Sequence, residues 1–180
     1  MDALDFKALS RLQEFGRDSW KHLGGLLGIT AQAAADRVHK LEQQGAIHGY
    51  AALIDPESVG IHVLAFVAVS LERPKHREAF LEQVASLSEV QECHHVSGDD
   101  DYLLKIRCRG TSDLERVVGD GIRGIPGVLR ARTTIVLRTT KETVSLPLVT
   151  GPVQTCPAHG SQLTRKSVCL LPLHFLTIKW

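Results

Sequence analysis

The chain has 180 residues, room for one or two small domains with packed cores. Hydrophobic residues make up 43% and charged residues 23%, the balance of a globular protein rather than a disordered one. A net charge of +1 excludes a bulk polyanion binder, and the most apolar stretch near the end, Val168 to Ile178, is too short to span a bilayer.

The charge is unevenly placed. Residues 1–60 hold six Lys and Arg against eight Asp and Glu, residues 61–148 hold twelve of each, and residues 149–180 hold three basic and no acidic residues. The net of −2 over residues 1–60 means that any polyanion met there must be met by locally placed cations. The four cysteines, Cys93, Cys108, Cys156 and Cys169, form no C-x-x-C pair. With no signal peptide visible, this usage predicts a reduced, cytoplasmic protein.

In chain order, Asp2 with Asp5 predicts an N-cap and its N3 partner for a first helix carrying Leu9 and Leu12 inward. Gly16-Arg17 breaks it, and Ser19 caps a second helix with Leu23, Leu26 and Leu27 inward. Gly24 and Gly25 inside that helix are expected to weaken it by about 1 kcal/mol each relative to alanine. Gly28 stops it, and Thr30 caps a third helix. There Ala31, Ala34, Ala35, Val38 and Leu41 recur at helical spacing, while Gln32, Asp36, His39 and Gln43 line the other face beside Arg37 and Lys40. Gly45 ends this helix, and Ala46 to Ile54 reads as extended chain. Two short helices joined by a tight glycine turn make a helix-turn-helix, whose second helix lies in the DNA major groove. The same spacing also fits an ordinary helical hairpin.

Asp55-Pro56 marks a boundary. His62 to Glu72 is a β-rich run with almost no polar alternation, so the strand is covered on both faces. Pro74 starts a helix with Phe80, Val84 and Leu87 inward. Val90 to Ser97 is a second strand, Gly98-Asp99-Asp100 a tight turn, and Asp101 to Arg109 a third strand. Ser112 is expected to cap a helix with Leu114, Val117, Val118, Gly121 and Ile122 in a stripe. Pro126-Gly127 turns into a last strand, Val128 to Arg138. The order β-α-β-β-α-β is the ferredoxin-like pattern, whose helices cover one face of the sheet. A second copy of the sheet is the simplest cover for the other, which predicts a homodimer.

These residues together carry a family signature. Asp5, Leu9, Leu12-Gln13 and Gly16-Arg17, then Leu27-Gly28-Ile29-Thr30, Arg37-Val38, Leu41-Glu42, Gly45, Ile47, Gly49-Tyr50 and Gly60 resemble the Lrp/AsnC family of bacterial transcription regulators. So do Val90 to His94, the run Val96 to Lys105, Pro126-Gly127-Val128, and Arg138 to Thr143 ending at Leu146-Pro147-Leu148. The resemblance covers residues 2–148. It implies an α+β fold with a helix-turn-helix (winged-helix-like) domain and hinge strand over 1–60. A ferredoxin-like βαββαβ (RAM) domain for effector binding and dimerisation follows over 61–148. Residues 149–180 have no counterpart and lack periodicity, so an unstructured appended tail is expected. Two departures stand out: His22-Leu23-Gly24 replaces a Glu-Leu-Ala-like triplet, predicting a looser second helix, and Ala34 is smaller than is usual there.

The resemblance implies dimers that often assemble into octamers, bind double-stranded DNA and respond to an amino acid or similar effector. It implies no catalytic residue and no cofactor. On the third helix, Thr30, Gln32, Ala33, Asp36, Arg37, His39 and Lys40 are the candidate DNA contacts. Gln pairs bidentately with adenine and Arg or Lys with guanine, whereas Lys40 suits a phosphate. Arg37 has a competing reading, as an internal fastener to a carboxylate. By the resemblance, effector positions fall on His95, Asp101, Thr111, Thr134, Ile135 and Val136, with Gly98 and Asp99 in the turn lining the pocket between subunits. An Asp there accepts bonds from an α-ammonium.

Metal binding is not expected. In the cluster Cys93-His94-His95 with Asp99 to Asp101, strand alternation sends the two histidines to opposite faces. In the tail, Cys156, His159, Cys169 and His174 match no zinc-finger spacing. The alternative function is an enzyme: siroheme decarboxylases resemble this family in both halves. They carry His-Asn-Tyr-like and Tyr-Asn-x-Trp-Phe-like segments where this chain reads VSGDDDYLLKIR.

Overall fold

The computed structural model describes residues 1–148 and contains two compact units. The expected tail, with Cys156, His159, Cys169 and His174, lies outside the described residues.

The first unit comprises residues 1–53 with residues 140–148. Helix α1 (Ala3–Glu14) starts on a reciprocal cap: the Asp2 carboxylate accepts from the Asp5 N–H (2.9 Å) and the Asp5 carboxylate from the Asp2 N–H (2.7 Å). Helix α2 (Trp20–Leu27) is capped by Ser19 and ended by Gly28 in the left-handed region (φ 72°). Helix α3 (Ala31–Gln43) is capped by Thr30, with Gly45 beyond its end at φ 70°. Ala8, Leu23, Leu27, Ala34 and Val38 form the core, with Leu4, Leu12, Ile29 and Ile47 packed against it.

Three expectations change here. Leu26 is 39% exposed, because Leu23 and Leu27 share the inward face at i, i+4 and leave it at the edge. Gly24 is buried rather than loose: a Cβ there would meet the turn backbone at Ile29 O (2.9 Å) and Thr30 C (3.0 Å). Residues 46–54 contain no strand, since extended chain without a ladder partner leaves its backbone groups to water. By contact, the segment that ends the expected 61–148 domain packs with the helices. Residues 140–148 belong to the helical unit, where the Gln13 amide donates to Leu146 O (3.3 Å) and accepts from Leu146 N–H (2.6 Å).

The second unit is residues 54–139. Strands β1 (Val63–Leu71), β2 (Val90–His95), β3 (Tyr102–Cys108) and β4 (Val128–Ile135) form an antiparallel sheet in the order β2-β3-β1-β4. Helix α4 (Arg77–Ser86) connects β1 to β2, and α5 (Thr111–Arg116), continued by a π-helical turn over Val117–Ile122, connects β3 to β4. This is the expected ferredoxin-like order. The cap of α5 is Gly110, without a side-chain bond, and not Ser112, which sits in the first turn. Strand β4 also stops at Ile135, short of Arg138.

Phe80, Val84, Leu114, Val117 and Ile122 pack on the sheet face made by Ala65, Val67, Val69, Leu104 and Ile106. The opposite face presents Leu64, Phe66 and Ala68 of β1 beside Leu103, each only half-buried. The continuous apolar run of β1 thus has one face in the core and one face that no described residue of this unit packs over.

Candidate functional site

Helix α3 has a sealed inner face and a polar outer one. Ala34, Ala35, Val38 and Leu41 are buried, whereas Gln32, Ala33, Asp36, His39, Lys40 and Gln43 are exposed. The Thr30 hydroxyl accepts from the Ala33 N–H (3.1 Å), so its first duty is the cap. Gln32 donates its amide to Asp36 (2.9 Å), one turn on, and both face outward. His39 contacts Glu42 (3.0 Å) and lies 5.8 Å from the Trp20 ring. Tyr50 donates to the other Glu42 oxygen (2.9 Å); burial and that carboxylate push its phenol up to about 12.

Arg37 does not join the outer row. Its Nη1 donates to both Asp2 oxygens (2.8 and 2.7 Å) and to Asp5, so it fastens α3 to the cap of α1. Those carboxylates raise its already high pKa, and the Asp5 N–H together with Arg37 hold Asp2 below the usual carboxylate range. The competing reading of Arg37 as an internal fastener is the one the geometry matches. Lys7 and Arg11 are also spent internally, on Leu26 O (2.7 Å) and Asp18 (2.6 Å). The side chains of Arg17, Lys21 and Lys40 form no hydrogen bond or ion pair with another described residue. Arg17 and Lys21 flank the Ser19-capped start of α2, a cation pair that the outward row of α3 alone does not bring to notice.

The second cluster surrounds the Gly98–Asp101 turn. Gly98 has φ 141°, a backbone region that favours glycine. Asp99 is exposed. The Asp101 carboxylate accepts from the Leu71 N–H (2.7 Å), and the Asp101 N–H donates to Val69 O (2.9 Å), which locks the turn to β1. His95 stands 5.2 Å from the Tyr102 ring and 3.3 Å from an Arg77 nitrogen. His94 pairs across to Leu103 and His95 to Tyr102, so the two histidines do face apart. Among the described residues, no His, Cys, Asp and Glu side chains are grouped to hold a metal ion. The middle aspartate, which the sequence does not distinguish from its neighbours, is the buried one. Asp100 accepts from Ser70 (2.8 Å), Arg130 (3.1 Å) and Arg132 (2.7 Å), and these partners, the Ser70 hydroxyl foremost, lower its pKa.

Residues 1–42 match the AsnC-type helix-turn-helix domain, and residues 64–146 match the Lrp/AsnC ligand binding domain. The leucine-responsive regulatory protein of Haemophilus influenzae is 39% identical over 150 residues, 82% of this chain and 90% of that one. Its namesake from Escherichia coli strain K12 is 38% identical over 152 residues, 83% of this chain and 93% of that one. The chain belongs to the Lrp/AsnC family. Among solved structures, a transcriptional regulator from Neisseria meningitidis in complex with L-Met superposes with a TM-score of 0.79 at 34% identity, covering 82% of this chain and 96% of that one. Escherichia coli AsnC superposes with a TM-score of 0.76 at 27% identity, covering 81% and 97%.

Within one chain of this Lrp/AsnC protein, the positions expected to meet an effector fall into two groups. His95, Gly98, Asp99 and Asp101 sit where β2 ends and β3 begins, level with Val69. Thr111 follows the far end of β3, where Cys108 pairs with Val63. On β4, Thr134 and Ile135 pair with Phe66 and Ala65, and the Val136 N–H donates to Leu64 O (2.9 Å). A seven-residue strand separates the groups by roughly 20 Å. They do not converge on one cleft of a single chain.

Proposed function

We propose that α3 reads duplex DNA sequence and that the regulator's assembly or DNA affinity responds to an amino acid. The observation that carries the first half is the outward row Gln32, Asp36, His39 and Lys40 on a helix whose other face is buried. Gln32 and His39 act as readers, with Asp36 holding Gln32 for an adenine edge. Lys40, Arg17 and Lys21 neutralise phosphates. Arg37 is a positioning residue. In a gel shift, Gln32→Ala with His39→Ala relaxes sequence preference, each lost base contact costing roughly 1–3 kcal/mol. Lys40→Ala weakens all sequences alike. Unchanged binding of its preferred site by the double variant removes this face from the reading.

The second half is supported by the similar Neisseria regulator, which binds L-Met, and by the Gly98–Asp101 turn, whose aspartates and backbone suit a zwitterion. A second copy covers Leu64, Phe66 and Ala68 and brings one chain's turn towards its partner's 134–136 segment. Relatives are named as regulators, so we read the chain as a non-enzyme. Absence of a Soret band from protein incubated with a tetrapyrrole separates this from the decarboxylase reading. No helix among the described residues is long and apolar enough to cross a membrane.

A further inference from the structure

We infer that Arg130 and Arg132, held by the buried Asp100, form the receptor for the α-carboxylate of the effector. This rests on the amino-acid reading above and names the groups that would recognise it. Arg130 lies opposite Ser70 and Arg132 opposite Ala68, so both guanidiniums rise from the face of the sheet opposite its helices. The Asp100 side chain is 8% exposed, while those of Arg130 and Arg132 are 53% and 63% exposed. One carboxylate anchors two cations, leaving the cluster a net charge of +1. The Ser70 hydroxyl already donates to the same Asp100 oxygen as Arg130, so one arginine would satisfy the buried group. The second is surplus to that need.

The donors are available as well as charged. A guanidinium has five N–H groups, and only Nη2 of each arginine donates inward. The rest form two forks fixed in place by a buried anchor, the geometry that binds a carboxylate bidentately. The anion receptor also stands beside an ammonium acceptor. Asp100 is tied to Ser70 and Asp101 to Leu71, consecutive residues of β1. The second Asp101 oxygen and the exposed Asp99 accept no hydrogen bond from a described residue. Opposite charges thus flank one turn, with the polarity of an amino acid's head group.

Calorimetric titration of the full chain with the twenty L-amino acids tests this, followed by the amide of each one that binds. The variants are Arg130→Gln with Arg132→Gln, which keep a donor for Asp100, and Arg132→Gln alone. Wild type is expected to prefer the acid over its amide by about 10- to 100-fold. The double variant is expected to lose that preference while binding the amide as wild type does, which also reports that it is folded. The single variant, at the more exposed arginine, is expected to lose part of it. Equal binding of acid and amide by wild type overturns the inference and leaves the effector reading standing. So does a preference that survives the double substitution, or variants that lose only self-association. If no amino acid binds wild type, both readings fall.

Discussion

Two adjacent glycines give the tightest test of the helix-turn-helix geometry. Both lie in α2, and by helix propensity alone alanine at either position should stabilise by about 1 kcal/mol. The structure separates them. At Gly25 an added Cβ would meet nothing within 4 Å beyond its own stretch of helix, so Gly25→Ala keeps the full gain. At Gly24 the added carbon meets Ile29 O at 2.9 Å, Thr30 C at 3.0 Å and Ala31 N at 3.1 Å, all backbone atoms of the turn into α3. Backbone held by the Gly28 cap and the Thr30 cap has nowhere to move without tilting α3. Overpacking costs about 1–3 kcal/mol, so Gly24→Ala loses up to about 2 kcal/mol after its propensity gain. The helical unit's urea midpoint, followed by far-ultraviolet circular dichroism, should rise for Gly25→Ala and fall for Gly24→Ala. DNA affinity should drop only in the latter. Two equal stabilisations would show that the turn is not packed against α2 and refute the close crossing.

Three further outcomes follow from the contacts. Arg37→Gln should lower the urea midpoint of the helical unit and weaken DNA binding uniformly; an altered base preference in fragment selection would return Arg37 to the reading row. Truncation after Leu148 should leave the helical unit's midpoint intact, whereas truncation after Thr139 removes the Gln13–Leu146 pair of bonds and should lower it, by about 1 kcal/mol for two hydrogen bonds partly replaced by water; equal midpoints would make that segment a bystander. Asp18, chiefly through its bond from Arg11, and Asp100, chiefly through Ser70, have pKa values below the ordinary carboxylate value of about 3.9. A depressed folded value means stability that is present above the unfolded pKa and lost as pH falls through the folded one. The urea midpoint should therefore hold from pH 7 to 5 and fall below about pH 4, and an unchanged midpoint at pH 3 would contradict these pairings.

Much of the fold was legible because its signals are local. Asp2, Ser19, Thr30 and Gly28 act where their capping chemistry predicts, and the alternation in β3 gives its buried face directly. Where the sequence misleads, a tertiary partner decides. Gly24 looks like a weak helix residue until Ile29 and Thr30 are folded over it. Ser112 has the chemistry of a cap, but the chain turns at Gly110 to leave β3. Residues 140–148 carry no periodicity that would attach them to Gln13, 133 positions away from Leu146. The candidate site divides in the same way. The outer row of α3 follows from period alone, whereas the withdrawal of Arg37 needed Asp5 in place. Asp100 is one of three identical neighbours, and only the register of β4 against β1, which sets Arg130 opposite Ser70, singles it out.

If α3 reads DNA and the second unit holds an effector, this Lrp/AsnC protein binds particular DNA sequences and an amino acid changes that binding. Selection of bound fragments from a random duplex library, sequenced with and without each amino acid, measures both at once. An enriched motif is expected, with two related half-sites if the protein binds as a dimer, and a shift in its enrichment when one amino acid is present. Fragments recovered without any shared motif, under every condition, would contradict that reading.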